Sequence, residues 1–276
     1  ESALDSEGET LLKNLHDLLQ DDQIGKSLRN EVVGWTITHL AYPERSFAQV
    51  PHKGTCAATV VAMDQIEENP AELVRIIEGL AAKPRQVKLS NGEVLERGVG
   101  ATAYASGTGS PVEKMIQASF MDFARPEQEY TLSEDSFSDD KADTGLWPAQ
   151  VERLVEAVTG EPVELRKLED WEFQQLLDRV DQTVPTTLQW GEQKDTKHMV
   201  LATGVDKDFV YYRNPWGERS DDDSLKDQGR ERLQEGRERM PRRLFLERLD
   251  YAVQPEGWRG TPEKQPGLWQ RFLDWW

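Results

Sequence analysis

The chain has 276 residues, 37% hydrophobic and 30% charged, with 51 acidic side chains against 33 Lys and Arg and a formal net charge of -18. That imbalance argues against DNA, RNA and anionic lipid, which are held through Lys and Arg contacts to phosphate, and favours a basic protein substrate or partner. Nowhere do apolar residues approach the run of roughly 18 needed for a membrane span, and nine tryptophans point to a soluble, folded protein, large enough for two lobes sharing a cleft. A single cysteine allows no internal disulfide. Starting at Glu1 with no basic-then-apolar leader, the chain reads as a processed piece of something longer.

Leu11, Leu12, Leu15, Leu18 and Leu19 recur at helical spacing, which predicts an amphipathic helix over 9–20, followed by a polar connection over 21–30. The alternation over 31–40 predicts a strand. Residues 43–54 read as a loop feeding a helix that starts near Cys56 and runs toward Glu68. Asn69 before Pro70 is a cap followed by a first-turn proline, so a second helix is expected to about Ala82, where Lys83-Pro84 stops it. Ser90-Asn91-Gly92 between extended runs at 86–89 and 93–96 predicts a hairpin. The Gly- and Ser-rich stretch 98–110 lacks the Gly-Lys-Ser/Thr ending of a phosphate loop. The acidic stretch 133–143 misses the spacing of a calcium loop, with Lys141 and Gln150 at two of the positions that matter. Helices are predicted at 111–124, 150–158 and 171–180, then strands at 186–190, 198–203 and 209–213. Residues 218–243 are charge-dense, with six arginines between Arg230 and Arg243, and predict a solvated helix or a mobile extension. A last strand is expected over 243–251, before a tail holding Trp258, Trp269, Trp275 and Trp276.

Three of these segments carry chemistry. An ordinary thiol has a pKa of about 8.5 and attacks carbonyls readily only as the thiolate. Cys56 at the first turn of a helix meets the positive end of the macrodipole, which favours that anion. Small neighbours, Gly54, Thr55, Ala57 and Ala58, leave room for a substrate backbone. If the strands at 198–204 and 208–214 pair about a turn near Asp206, His198 faces Asn214 and the carboxamide can orient the imidazole. Taken singly, each residue has a plainer reading: an inert thiol, a strand histidine, a core indole. Their order and spacing together favour the chemical one. Among the other histidines, His16 and His39 fall on predicted helix and strand faces, and His52 is the only competitor as base. No cysteine or histidine spacing suits zinc.

The segments Gly54-Thr55-Cys56-Ala57-Ala58, His198-Met199-Val200-Leu201-Ala202-Thr203-Gly204 and Asn214-Pro215-Trp216-Gly217 occur in the order found in papain-like cysteine peptidases (clan CA) and resemble their motifs. The last looks most like the calpain branch. Fainter likenesses to that branch cover 112–118 and 154–160. The resemblance implies an α+β fold of two lobes, a helical one led by the nucleophile helix and an antiparallel sheet bearing the His/Asn hairpin. It implies a catalytic core over 46–218, with an N-terminal extension of helix plus strand over 1–45 and a charged, Trp-bearing extension over 219–276. It also implies roles: Cys56 as nucleophile, His198 as base, Asn214 as its orienting partner, and Trp216 as shield. The oxyanion donor is carried to Gln49, one residue upstream of the family's usual place, where this chain has Val50. The expected activity is endopeptidase cleavage of a protein or peptide through a thioester, with no metal or organic cofactor. A reducing compartment suits the thiolate, a secreted bacterial effector or toxin is the expected context, and the C-terminal extension is a candidate surface for a protein partner. Acyl transfer and deamidation use the same thioester and stay open, as does a binding module without catalysis.

Overall fold

The computed structural model describes residues 4–45, 47–98, 101, 109–135, 145–178, 183–190, 196–217, 225–234 and 236–260. Residues 102–108 of the Gly- and Ser-rich stretch, 136–143 of the acidic stretch and 218–224 of the charge-dense stretch, with Trp269, Trp275 and Trp276, lie outside them.

The first half is built from helices whose ends are written locally. Helix α1 (Leu11–Gln20) starts at Thr10, whose hydroxyl accepts from Lys13 N. Helix α3 (Cys56–Glu68) begins at the cysteine, and α4 (Pro70–Ala81) is capped by Asn69, whose Oδ1 accepts from Glu72 N at 3.2 Å. Strands β1 (Gln86–Lys88) and β2 (Val94–Glu96) form the expected hairpin, with Gly92 at φ +92. Helix α5 (Pro111–Ala124) opens on a reciprocal capping box between Ser110 and Glu113, and α6 (Pro148–Thr159) ends on Gly160 at φ +77. One expectation fails here. Residues 26–41 form a helix, α2 (Lys26–Ala41), not a strand, and its buried residues Val32, Thr36 and His39 recur with helical period. The alternation that suggested a strand comes from Trp35 and Ile37, which are exposed. Packing against α1, α4 and α5 overrides a β-rich local composition.

The second half is a sheet of order β3-β9-β4-β5-β6-β8-β7, from β3 (Val163–Arg166), β4 (Val184–Gln189), β5 (Lys197–Val205), β6 (Phe209–Arg213), β7 (Glu231–Arg232), β8 (Arg237–Pro241) and β9 (Leu249–Pro255), with antiparallel pairing throughout. Helices α7 (Asp170–Asp178) and α8 (Arg242–Arg248) complete it. The chain is thus a mixed α+β protein. Side chains alternate across the sheet. Met199, Leu201, Tyr251 and Val253 join the core of α3 to α6, while Val200, Ala202, Leu249 and Ala252 pack with Phe173 of α7 and Phe245 of α8 on the other face.

The charge-dense stretch departs from expectation. Within it, residues 231–232 and 237–241 form strands, and the strand expected over 243–251 divides into α8 and β9. β9 lies inside the sheet between β3 and β4. In β8 the inward residues are Glu238 and Met240, while Arg239 turns outward onto Glu231. The arginines therefore decorate one face of a strand whose other face is buried. Among the described residues no helix is long and apolar enough to cross a membrane.

Candidate active site

Cys56 starts α3, and the loop before it is fastened by helix α5. Glu113 Oε1 accepts Ala48 N at 2.8 Å, Gln117 Oε1 accepts Val50 N at 3.0 Å and the Thr55 hydroxyl at 2.7 Å, and Gln117 Nε2 donates to Ala48 O at 2.8 Å. From a third segment, Asp135 Oδ2 accepts Gly54 N at 2.9 Å and the Tyr130 hydroxyl at 2.5 Å. Burial pushes the Cys56 thiol up from its ordinary value; the N–H groups of Met199, Ala57 and Cys56 itself pull it down, and Asp135 adds to the rise. The helix terminus thus acts in the expected direction, and burial outweighs it. A cation beside the sulfur would oppose that rise.

His198 lies on β5, next to the residue whose N–H points at the sulfur. Its Nε2 is 2.8 Å from Asn214 Oδ1. The amide orientation is determined by its other contacts: Trp216 N donates to the same Oδ1 at 3.1 Å, and Asn214 Nδ2 donates to Glu238 Oε1 at 3.2 Å. Oδ1 therefore faces the ring, Nε2 carries the proton it donates, and Nδ1 is left as the basic nitrogen. The pairing arises from a register unlike the expected one. The turn is centred between Lys207 and Asp208 instead of on Asp206: Leu201 faces Arg213, Ala202 faces Tyr212, a bulge shifts the ladder to Gly204 with Tyr211, and on neither side of the bulge are His198 and Asn214 rung partners. They meet because Asn214 lies just past the end of β6 and its side chain reaches back. Asp206 holds the turn, its Oδ1 accepting from Asp208 N at 2.8 Å and Phe209 N at 2.7 Å.

Rings enclose the imidazole. Trp216 stacks on it at 4.1 Å between centroids, and Trp190 stands edge-on to it at 4.9 Å. The Arg230 guanidinium lies 5.2 Å from the Trp190 ring and 3.6 Å from Glu238 Oε2.

No known protein-family model matches the chain, and no curated protein matches it in sequence. The chemistry of the site rests on its own residues.

Besides the Met199 N–H at the Cys56 sulfur, two hydrogen bonds among the described residues tie the Cys56 side to the His198 side. Gln49 N donates to Pro215 O at 2.6 Å, and Arg213 Nη1, beside Asn214, reaches Glu67 Oε1 of α3 at 3.0 Å. Arg213 is 3% exposed. The Gln49 side chain stays within its loop: Nε2 donates to Lys53 O, and Oε1 is buried with no hydrogen-bond partner among the described residues. His52 is exposed, and His39 is buried on Phe47 at 4.5 Å, in α2. Among the described residues no group of three or more His, Cys, Asp and Glu is arranged to hold a metal ion.

Sequence reasoning missed Trp190, Glu238, Arg230, Glu113 and Gln117. The last two had a signal, being polar and four apart on a helix otherwise lined with Val112, Met115, Ile116 and Ala118. Trp190 ended a predicted strand. Nothing local marks Glu238 or Arg230.

Proposed function

We propose that the protein is a papain-like cysteine peptidase that cleaves peptide bonds in a protein or peptide laid across the junction of the helical half and the sheet half. The Cys56 thiolate, paired with the His198 imidazolium, attacks the scissile carbonyl carbon. The tetrahedral oxyanion collapses, the C–N bond breaks, and His198 Nδ1 gives its proton to the leaving amine. Nδ1 then takes a proton from water as the hydroxyl attacks the thioester carbon, the C–S bond breaks, and the carboxylic acid leaves with the Cys56 thiolate and His198 imidazolium restored. A reducing compartment keeps the sulfur competent.

One observation carries this reading: the Nε2 proton of His198 is given at 2.8 Å to an Asn214 oxygen whose orientation is fixed by two further groups, on a strand whose next N–H points at the Cys56 sulfur. Cys56 is only half-buried, as a thiol that must meet a substrate has to be. The test is alkylation with iodoacetamide or an epoxide peptide analogue at neutral pH, mapped by mass spectrometry, beside hydrolysis of a mixed peptide library. Fast modification at Cys56 that vanishes in His198→Ala, with peptide cleavage lost in Cys56→Ala at an unchanged Tm, is the expected result. Slow modification indifferent to His198 sinks it.

A further inference from the structure

Glu238 sits at an inward position of β8, 3% exposed, facing Tyr212 of β6 across the ladder. An apolar side chain there would pack without removing a charge from water, and a buried carboxylate is costly unless it is paired and hydrogen-bonded. Its surroundings supply both at Oε1 and an ion pair alone at Oε2, which is buried with no hydrogen-bond partner among the described residues. Arg230 Nη1 is 3.6 Å from Oε2, Arg232 Nε is 4.0 Å from Oε1, and Asn214 Nδ2 donates to Oε1. Arg45 and Arg237 line the cleft of about 320 Å³ on whose wall Glu238 lies. Burial raises the Glu238 carboxyl above its ordinary range, and Arg230 is the first of the groups that pull it back, ahead of Tyr212 and Asn214.

A carboxamide can turn either its oxygen or its nitrogen toward a histidine, and only the oxygen can accept the Nε2 proton. A carboxylate accepts and cannot donate, so Glu238 admits only the NH₂ end of Asn214 and sends Oδ1 to the ring. Trp216 N–H, a pure donor, enforces the same choice from the other side. The negative charge of Glu238 also stands two hydrogen bonds behind the imidazole, in a region that Trp190 and Trp216 keep dry, where charge acts more strongly than in water.

We propose that Glu238 is a positioning residue for His198, acting through Asn214 and neutralised by Arg230, so that the site runs His198, Asn214, Glu238, Arg230 instead of ending at the asparagine. This rests on the reading of Cys56 and His198 as nucleophile and base. Glu238 fixes the amide and, through it, favours the imidazolium that the thiolate needs. Arg230, held against Trp190, keeps the carboxylate from carrying an uncompensated charge.

The experiment is the pH dependence of Cys56 alkylation by iodoacetamide in the full chain, for the wild type, His198→Ala, Glu238→Gln and the double variant Glu238→Gln with Arg230→Gln, each with a thermal melt. Glutamine keeps the shape at 238 and removes the charge; the double variant also removes the orphaned arginine. The expected wild-type profile rises at pH values below the ordinary thiol range. In both glutamine variants the rise moves up by about half a unit to one unit, so that the rate near about pH 6 falls roughly 3- to 10-fold. A merely structural Glu238 would lower the Tm of the single variant while both variants keep the wild-type profile, and that result overturns the inference alone. A wild-type profile of an ordinary thiol, unchanged by His198→Ala, overturns the proposed function and this inference with it.

Discussion

The two sides of the candidate site are built from different materials. Around Cys56 the loop 47–55 is held by hydrogen bonds from three polar side chains, Glu113, Gln117 and Asp135, each accepting backbone N–H groups. Around His198 the ring is held by two indoles and a single carboxamide. A loop has no ladder to satisfy its backbone, so buried polar side chains must do it. A strand histidine has its backbone paired already, as His198 has with Leu188, and needs only its ring fixed, which flat aromatic faces do well. The Cys56 side should therefore break when a polar atom is removed, and the His198 side when volume is removed.

The largest stability effect is expected from Trp190→Ala, on the His198 side. Trp190 is 3% exposed, and truncating a buried indole costs about 3–5 kcal/mol; denaturant unfolding measures it. Hydrogen exchange at the Val50 and Gly54 amides should stay slow in that variant below its unfolding transition. Gln49→Ala comes next: if its carboxamide leaves Lys53 to meet the oxyanion, kcat/KM falls about 10²- to 10³-fold with little change in Tm. An unchanged kcat/KM would leave the oxyanion to backbone N–H groups alone. Gln117→Leu keeps volume and removes the acceptor of Val50 N and Thr55 Oγ1, and a buried group left unpaired costs about 1–3 kcal/mol. Here the Val50 amide should exchange faster, while the fluorescence of Trp190 and Trp216 stays that of the wild type. Should both variants disturb both sides equally, the contrast fails.

A pH-dependent effect tests the seam between the two halves. Asp64 of α3 accepts from the Thr183 hydroxyl at 2.7 Å, and burial pushes its carboxyl up to about 7, with Thr183 opposing and Glu68 and Glu67 adding. The folded state then holds this proton more tightly than the unfolded chain. Stability from Asp64 is fullest on the acid side, declines as the pH rises from about 4 to about 7, and is level above that. Asp64→Asn should flatten that part of the Tm profile. Glu78, also near 7, slopes the same way in both proteins, so their difference isolates Asp64. Parallel profiles would place the slope elsewhere.

Much of the local structure was legible. Asn69-Pro70 and Ser110-Pro111 are helix starts on sight, and α4 and α5 begin where those pairs place them. The strands at 197–205 and 209–213 showed by their apolar content, and the contact of His198 with Asn214 followed from their being consecutive. The turn centred past Asp206 and the bulge between Ala202 and Gly204 did not show, and they changed the rungs without undoing the contact. Residues 31–40 misled because an exposed Trp35 and Ile37 imitate a strand. The arginine-rich stretch misled because Arg237 and Arg239 face outward on β8 and mask the inward Glu238 and Met240, while Arg230 is itself buried.

What the amino-acid order determined alone was whatever neighbours in the chain decide: the helix that opens at Cys56, the hairpin that carries His198, and an asparagine and tryptophan close behind it. What only the folded molecule decided was the company these residues keep. Glu238 at the back of Asn214, Trp190 against the imidazole, Gln117 under the Cys56 loop and β9 within the sheet all join segments far apart in sequence. Such partners are selected by packing and by the need to satisfy buried polar atoms, and neither leaves a local signature.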